Sequence, residues 1–415
     1  MLPLEGIRVI DLGRVWAGPL ASRILADFGA EVIKIETITG RGDFTNLEAV
    51  VPEDFPGKYG GTKPWNRSGV FNDLNRNKKS LTLDLSNPSA KELFKKLVVL
   101  SDIVIENYSP RVMFNFGLNY DVLKSVKKDI IMLSMPAYGM KGPYSEFPGF
   151  GNTIESVGGI TNFTGYAGAE PHLPGMITGD VISALQGVSA VMIAIRHRRL
   201  TGKGQCIDLS QAEAQTSIIG TQIIAYQMNM KETQRIGNSN PDMAPHGCYR
   251  CKGEDKWVAI AVASESEWES LCQAMDNPEW AKENRFSCIK QRQTHWRELD
   301  KYISSWTSNM EHMDVMKRLQ SLGVPCGALL NGRELLDNEH LNSNGFFVEI
   351  PHKEAGIHKY AGSPLRLSAT PPQYYLPAPL MGEHNQIILS GLLGLSESEI
   401  EEFSRSGAFG IEPKF

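Results

Sequence analysis

The chain has 415 residues, enough for roughly two to three domains and a large buried core. Apolar types make up 41% and charged types 21%, with a net charge of −5, so the basic excess of a nucleic-acid-binding protein is absent. Met1-Leu-Pro-Leu-Glu5 has no basic segment leading into an apolar core, and six cysteines do not make a disulfide framework. A cytoplasmic, reduced protein is expected.

In chain order, Ile7-Arg8-Val9-Ile10 is a short β-prone run that ends in the turn formers Asp11-Leu12-Gly13. After Ala17-Gly18-Pro19, the apolar residues Leu20, Ile24, Leu25 and Phe28 recur at helical spacing, and Gly29 stops the helix. Glu31 to Ile35 reads as a second strand, completing a βαβ unit of a parallel sheet. The unit lacks G-x-G-x-x-G, so no nicotinamide role is expected. Thr37 to Trp65 is polar, contains Gly and Pro, and reads as a long loop over a site. Further strands are expected at Ser80–Leu85, Ile103–Glu106 and Ile130–Ser134, with a helix over Pro88–Leu100. A Gly- and Pro-rich loop follows from Ala137 to Gly151.

Val181 to Ile195 is the longest apolar run, interrupted by Gln186 and ended by Arg196. It is too short to span a bilayer and reads as a buried core helix, so no membrane partner is expected. Thr201-Gly-Lys-Gly204 turns into a strand over Gln205–Leu209, and a helical pattern runs from Gln211 to Met228. The character changes near Lys231. Two short strands between Cys248 and Ala263 flank a hairpin turn at Gly253-Glu-Asp255, and helical stretches continue to Leu322. Gly323 to Leu330 returns to strand, and Gly382-Glu-His384 leads into a helix from Asn385. The expected layout is a large α/β domain over residues 1–228, a small α+β domain over 229–325, and a segment 326–415 that returns to the large domain.

Two basic clusters, Arg76/Lys78/Lys79 and Arg196 to Arg199, read either as solvated faces or as seats for an anionic ligand. Cys248 and Cys251 lack a second pair and a ligand histidine at zinc-finger spacing, although His246 is close by; no metal is expected. The most informative residue is Asp180. It follows Gly179 and opens the apolar run, which sets a carboxylate at a helix N-terminus where backbone N–H groups and the dipole favour its ionised form. Gly179 leaves room for another molecule beside it. On local sequence alone, an ordinary N-cap accounts for Asp180.

Segments in fixed order resemble one family. They are Leu4-Glu-Gly-Ile-Arg-Val-Ile-Asp11, Arg14-Val-Trp-Ala-Gly-Pro19, Gly29 to Glu36, Asn75 to Leu85, Glu106-Asn-Tyr108 with Pro110, Gly179-Asp180, Arg198 to Gln205, Asp208 to Ala214, Gly323-Val-Pro325 and Met381-Gly-Glu-His384. The set resembles the class III CoA-transferases, of the formyl-CoA transferase and carnitine CoA-transferase type, with their relatives the α-methylacyl-CoA racemases. The resemblance implies a doubly wound, Rossmann-like parallel sheet formed by both chain ends, with a smaller central α+β domain. It also implies an interlocked homodimer, or a heteromer with a paralogous subunit.

For the chemistry, the resemblance implies that Asp180 attacks the thioester of an acyl-CoA, forms an acyl anhydride and passes CoA to a small carboxylic acid. A coenzyme A thioester is then a co-substrate, and no cofactor is permanently bound. CoA is expected along Arg14, Val15, Trp16 and Ala17, then Lys34, Leu83, Asp84, Asn107, Tyr108 and Phe150. Lys34 is expected to pair with a phosphate, and the backbone of Leu83 and Asp84 to reach adenine. Trp16, Gly151 and His246 are substrate candidates. The chain departs from the family where an arginine is common and Asn115 stands; Arg111, one turn earlier, is expected to supply that charge. Formyl-CoA transferases carry glutamine at the place of Trp16, so an acid with an aromatic or alkyl portion is expected. Racemases use a Gly-His-Asp stretch where this chain has Gly149-Phe150-Gly151, which removes the acid–base pair that a carbanion route needs. The turn-rich stretch Arg235 to Gly247 resembles that of transferases acting on aryl- or alkyl-succinates, the benzylsuccinate CoA-transferase type, with succinyl-CoA as donor. A non-catalytic CoA-binding partner subunit is the reading from another class.

Overall fold

The computed structural model describes residues 1–38, 63–175 and 177–413; most of the loop expected between Thr37 and Trp65 lies outside the described residues. The chain divides into two compact units. Met1–Thr161, Leu173–Lys231 and His340–Phe415 form one, and Asn162–His172 with Glu232–Glu339 form the other.

The first unit is α/β, built on a six-stranded sheet of β1 (Arg8–Asp11), β2 (Glu31–Glu36), β3 (Lys78–Thr82), β4 (Ile103–Glu106), β5 (Ile131–Ser134) and β6 (Cys206–Asp208). All neighbours pair in parallel, in the order β3-β2-β1-β4-β5-β6. Strand alternation explains why both faces are buried. Ile10, Ile33, Val104 and Met132 enter one core with Leu93, Phe94 and Leu97 of the helix Pro88–Val99. Val9, Val32, Ile103 and Ile131 enter the other, with Leu20 and Leu25 of α1 (Ala17–Asp27). Each such side chain contributes about 1.5–3 kcal/mol on burial. The chain winds outward from β1 in one direction and from β4 in the other, so the loops after these two strands diverge and open a crevice at their C-terminal ends.

Ile388, Leu389, Leu395 and Ala408 belong to the same core as Ile10 and Ile33. The C-terminal segment also covers the sheet edge at β3. The Thr82 N–H donates to Asn385 (3.0 Å), and the Ser80 carbonyl accepts from the His384 N–H (3.1 Å). A hairpin of Phe347–His352 and Gly356–Ala361 lies between, which the sequence pattern does not announce because Pro351 and scattered charges break its alternation.

The first basic cluster serves the fold, as does Arg198 of the second, while Arg196, His197 and Arg199 are exposed. Arg76 pairs with Asp27 (2.8 Å), Lys78 with Asp11 (2.9 Å), Lys79 with Glu31 (2.6 Å) and Arg198 with Asp102 (2.9 Å). The helical run expected from Gln211 to Met228 breaks at Ile219 into Gln211–Ile218 and Gly220–Asn229. The expected core helix is longer, Thr178–Thr201, and by length and composition it is apolar enough to cross a bilayer. It is buried on one side only: Ala184, Gly187, Val191 and Ala194 face inward, while Leu185, Ile193 and Leu200 are exposed.

The second unit carries a three-stranded antiparallel sheet of β7 (His246–Arg250), β8 (Trp257–Ala261) and β9 (Cys326–Ala328). Tyr249, Val258 and Ile260 pack from one sheet face onto Trp268, Leu271, Phe286, Leu299, Val315 and Leu319. The turn between β7 and β8 falls at Gly253 to Asp255, both with positive φ (103° and 48°). Because β9 pairs with β8, this unit extends beyond residue 325 to Glu339.

Candidate active site

A cavity of about 690 Å³ opens in the crevice of the first unit, at the loops that follow β1, β4 and β5. Among the residues singled out in the sequence, Arg14, Val15, Asn107, Tyr108, Phe150, Gly151 and Asp180 line it. Seven positions from four separate segments thus meet at the place where parallel sheets bind ligands.

Asp180 is the third residue of α3 (Thr178–Thr201), and Ile177 occupies the cap position without a side-chain cap. The ordinary N-cap reading is therefore replaced. Asp180 is 6% exposed and opens onto the cavity. The backbone N–H of Ala17, the first residue of α1, and that of Asp180 itself lie close enough to the Asp180 carboxylate to favour its ionised form, so two helix N-termini face it. Burial nonetheless raises the carboxyl to about 6; the Ala17 N–H opposes the rise and the nearby Glu155 carboxylate adds to it. At neutral pH it is mostly ionised and weakly solvated, a combination that suits a nucleophile.

Glu155 escaped the sequence reading. It lies on α2 (Gly151–Val157), is 2% exposed, and accepts from Thr178 Oγ1 (2.6 Å) and the Gly179 N–H (3.1 Å). In effect it caps the Asp180 helix from a neighbouring element, replacing the side chain that Ile177 cannot provide. Its position one helical turn beyond Gly151 was the available signal. Gln211 was also missed, though it sits in a segment that carries the family resemblance. It lines the cavity and donates from Nε2 to the Met135 carbonyl (2.8 Å).

The glycine beside the carboxylate is Gly151. A Cβ there would lie 2.9 Å from Asp180 Oδ2 and 2.7 Å from Ile177 Cγ2. Gly179, expected to make that room, instead faces Gln215 and Glu155. The loop after β1 is held from beneath. The Gly13 N–H donates to Asp11 Oδ1 (2.7 Å), and Lys34 Nζ donates to the Gly13 carbonyl (2.7 Å). Asp11 also accepts from Ser22 and Lys78, and although burial opposes it, Lys78 and Lys34 hold its carboxyl below the usual range.

Several expected ligand contacts fall elsewhere. Lys34 is fully buried, so its ammonium supports the loop backbone and does not face a phosphate. The N–H groups of Leu83 and Asp84 are taken by the Glu36 and Ala408 carbonyls (2.8 and 2.9 Å), which removes them as donors to adenine. The Trp16 ring packs against the core that contains Leu20 and is not among the cavity-lining residues. Ala17 is buried and contributes its N–H. Arg111 and Asn115 are exposed on the short helix Arg111–Phe116, with the Arg111 guanidinium 3.9 Å from Glu146. His246 is in the second unit, where it contacts the Asn238 carbonyl and lines a separate cavity of about 410 Å³. Cys248 is exposed on β7, and Cys251, just beyond its end, is buried.

The model of CoA-transferase family III matches residues 4–385. The chain belongs to this family. It is similar to a succinyl-CoA–D-citramalate CoA-transferase of Chloroflexus aurantiacus, 33% identical over 398 residues, with 96% of each chain covered. A succinyl-CoA–L-malate CoA-transferase alpha subunit of Chloroflexus aurantiacus is 34% identical over 401 residues, with 96% of this chain and 91% of that one covered. Among solved structures, a CAIB/BAIF family protein from Brucella suis superposes with a TM-score of 0.84 at 27% identity, covering 94% of this chain and 99% of that one. The chain is thus an enzyme that transfers CoA between carboxylic acids, with a CoA thioester as co-substrate.

Proposed function

We propose that the protein moves CoA from succinyl-CoA to a substituted succinate through an acyl anhydride on Asp180. A carboxylate oxygen of Asp180 attacks the thioester carbonyl, the C–S bond breaks, and CoA leaves as its thiolate. The acceptor carboxylate then attacks the Asp180 acyl carbon and expels the donor acid. Finally the thiolate attacks the acceptor's acyl carbon, giving the new thioester and free Asp180. The observation that carries this reading is a poorly solvated carboxylate, opening onto the cavity and held by two helix N-termini.

Succinyl-CoA as donor is supported by the names of the citramalate and malate relatives, whose acceptors are likewise dicarboxylates. An aryl or alkyl portion on the acceptor is supported by Tyr108, Phe147, Phe150, Ile154 and Ile177 in the cavity wall. The pantetheine arm would run past Arg14 and Asn107. The stretch Gly149 to Gly151 offers no acid or base for racemisation, and a cavity-facing Asp180 argues against a merely binding subunit. The active assembly is a dimer of identical or paralogous chains, supported by the exposed apolar faces of α3 and of Gly220–Asn229 and by the relative named as an alpha subunit.

Incubation with succinyl-CoA followed by borohydride or hydroxylamine, with peptide mass spectrometry, tests the reading. Modification is expected on the peptide bearing Asp180; transfer activity without it would sink the covalent route.

A further inference from the structure

Val15 stands in the left-handed region, at φ +63°. For a β-branched residue this is a real outlier, because Cβ and both γ-methyls crowd the backbone. Such a conformation persists only where its surroundings over-determine it. Here the neighbouring peptide groups are fixed by one side chain: Asn107 Oδ1 accepts from the Arg14 N–H (2.7 Å), and Nδ2 donates to the Arg14 carbonyl (2.9 Å). Gly18 leaves the room for that amide, since a Cβ there would lie 3.2 Å from Asn107 Oδ1 and 2.6 Å from Gly13 Cα. Two residues beyond Val15 stands Ala17, the first residue of α1, whose N–H favours the ionised form of the Asp180 carboxylate.

We infer that Asn107 is a positioning residue: its amide clamps the strained turn at Val15 and thereby holds the Ala17 N–H on the Asp180 carboxylate. This rests on Asp180 as the acyl acceptor. It assigns Asn107 a task different from the CoA contact that the family resemblance implies, because both ends of its amide are already used on the Arg14 backbone. Released from the clamp, Val15 relaxes toward negative φ and carries Ala17 away from the carboxylate. A glycine at position 15 accepts φ +63° without strain and needs no clamp.

A double-mutant cycle separates these roles. Asn107→Leu, Val15→Gly and the double variant are compared by the rate of Asp180 acylation in rapid quench, by kcat and KM, and by Tm. Asn107→Leu is expected to slow acylation by about 10- to 100-fold in the Val15 background, with KM for the acyl-CoA little changed. In the Val15→Gly background the same substitution is expected to cost less than about threefold, since the turn no longer depends on the clamp. Equal losses in both backgrounds, or a loss confined to KM, would mean that Asn107 acts by touching CoA and would overturn the inference. An unchanged rate in Asn107→Leu would overturn it too. Asn107→Asp, which keeps the acceptor and loses the donor, gives the same comparison if Asn107→Leu does not fold. If wild-type protein forms no acyl adduct on Asp180, the covalent reading fails first; an adduct without coupling defeats the clamp alone.

Discussion

At Asp180, the proposed role and stability pull in opposite directions. Its folded carboxyl holds a proton to about 6, above the ordinary 3.8, with burial the largest cause. The folded state therefore binds more protons between these values, and the stabilisation present below about pH 4 is lost as pH rises through 6. Asp180→Asn, uncharged at any pH, is expected to be more stable than wild type by roughly 1–3 kcal/mol at pH 7 to 8, and to converge on it near pH 4. Denaturant titrations at several pH values measure this; a variant less stable at pH 8 would contradict it. Gly151 gives a second test at the same scale. Because an added Cβ would press within 2.9 Å of Asp180 Oδ2 and 2.7 Å of Ile177 Cγ2, Gly151→Ala is expected to cost about 100-fold in kcat and about 1–3 kcal/mol of stability. Wild-type turnover in that variant would show that the carboxylate does not need its present place.

Among the elements, α1 and the strands beneath it are joined by charges without solvent. Lys78 and Asp11 are both fully buried, 2.9 Å apart, and burial lowers the Lys78 ammonium to about 8. Removing one partner leaves the other charge stranded, so Lys78→Met is expected to cost about 3–5 kcal/mol in equilibrium unfolding. A loss under about 1 kcal/mol would mean that Lys34 and Ser22 suffice for Asp11. The same elements tell what sequence can disclose. The strands around β1 and β4 were legible because each is a short β-branched run closed by turn formers, and Asp180 was legible as a carboxylate in the first turn of a helix. Lys34 and Lys78 were not: a charge in a parallel strand reads as exposed until its partner, distant in sequence, is known, and Arg76, in the turn before β3, hides its pairing with Asp27 in the same way. Glu155 was hidden for a related reason, since it caps a helix that is not its own. The hairpin Phe347–Ala361 was hidden by Pro351, which an edge strand tolerates.

For the whole molecule, the outer faces of α3 and Gly220–Asn229 leave Leu185 (53% exposed), Ile193 (69%), Ile224 (57%) and Met228 (77%) in water. The proposed dimer would cover these side chains. Light scattering is expected to give twice the 45.9 kDa chain mass, and Leu185→Glu with Ile193→Glu to shift it toward the monomer. A wild-type monomer at micromolar concentration would remove the dimer from the proposal.

The seal on the edge strand has a consequence in time. All residues that line the cavity have been synthesised by Gln211, and the six strands are complete by Asp208. The groups that close β3, Asn385 and His384, and the core residues Leu389 and Ala408, come after the whole second unit in the chain. A nascent chain therefore holds a nearly finished reactive centre above a sheet whose edge and one face still lack their cover. Until the stretch from His384 to Ala408 leaves the ribosome, that edge offers a template to other strands, so this stretch guards the sheet against aggregation during synthesis.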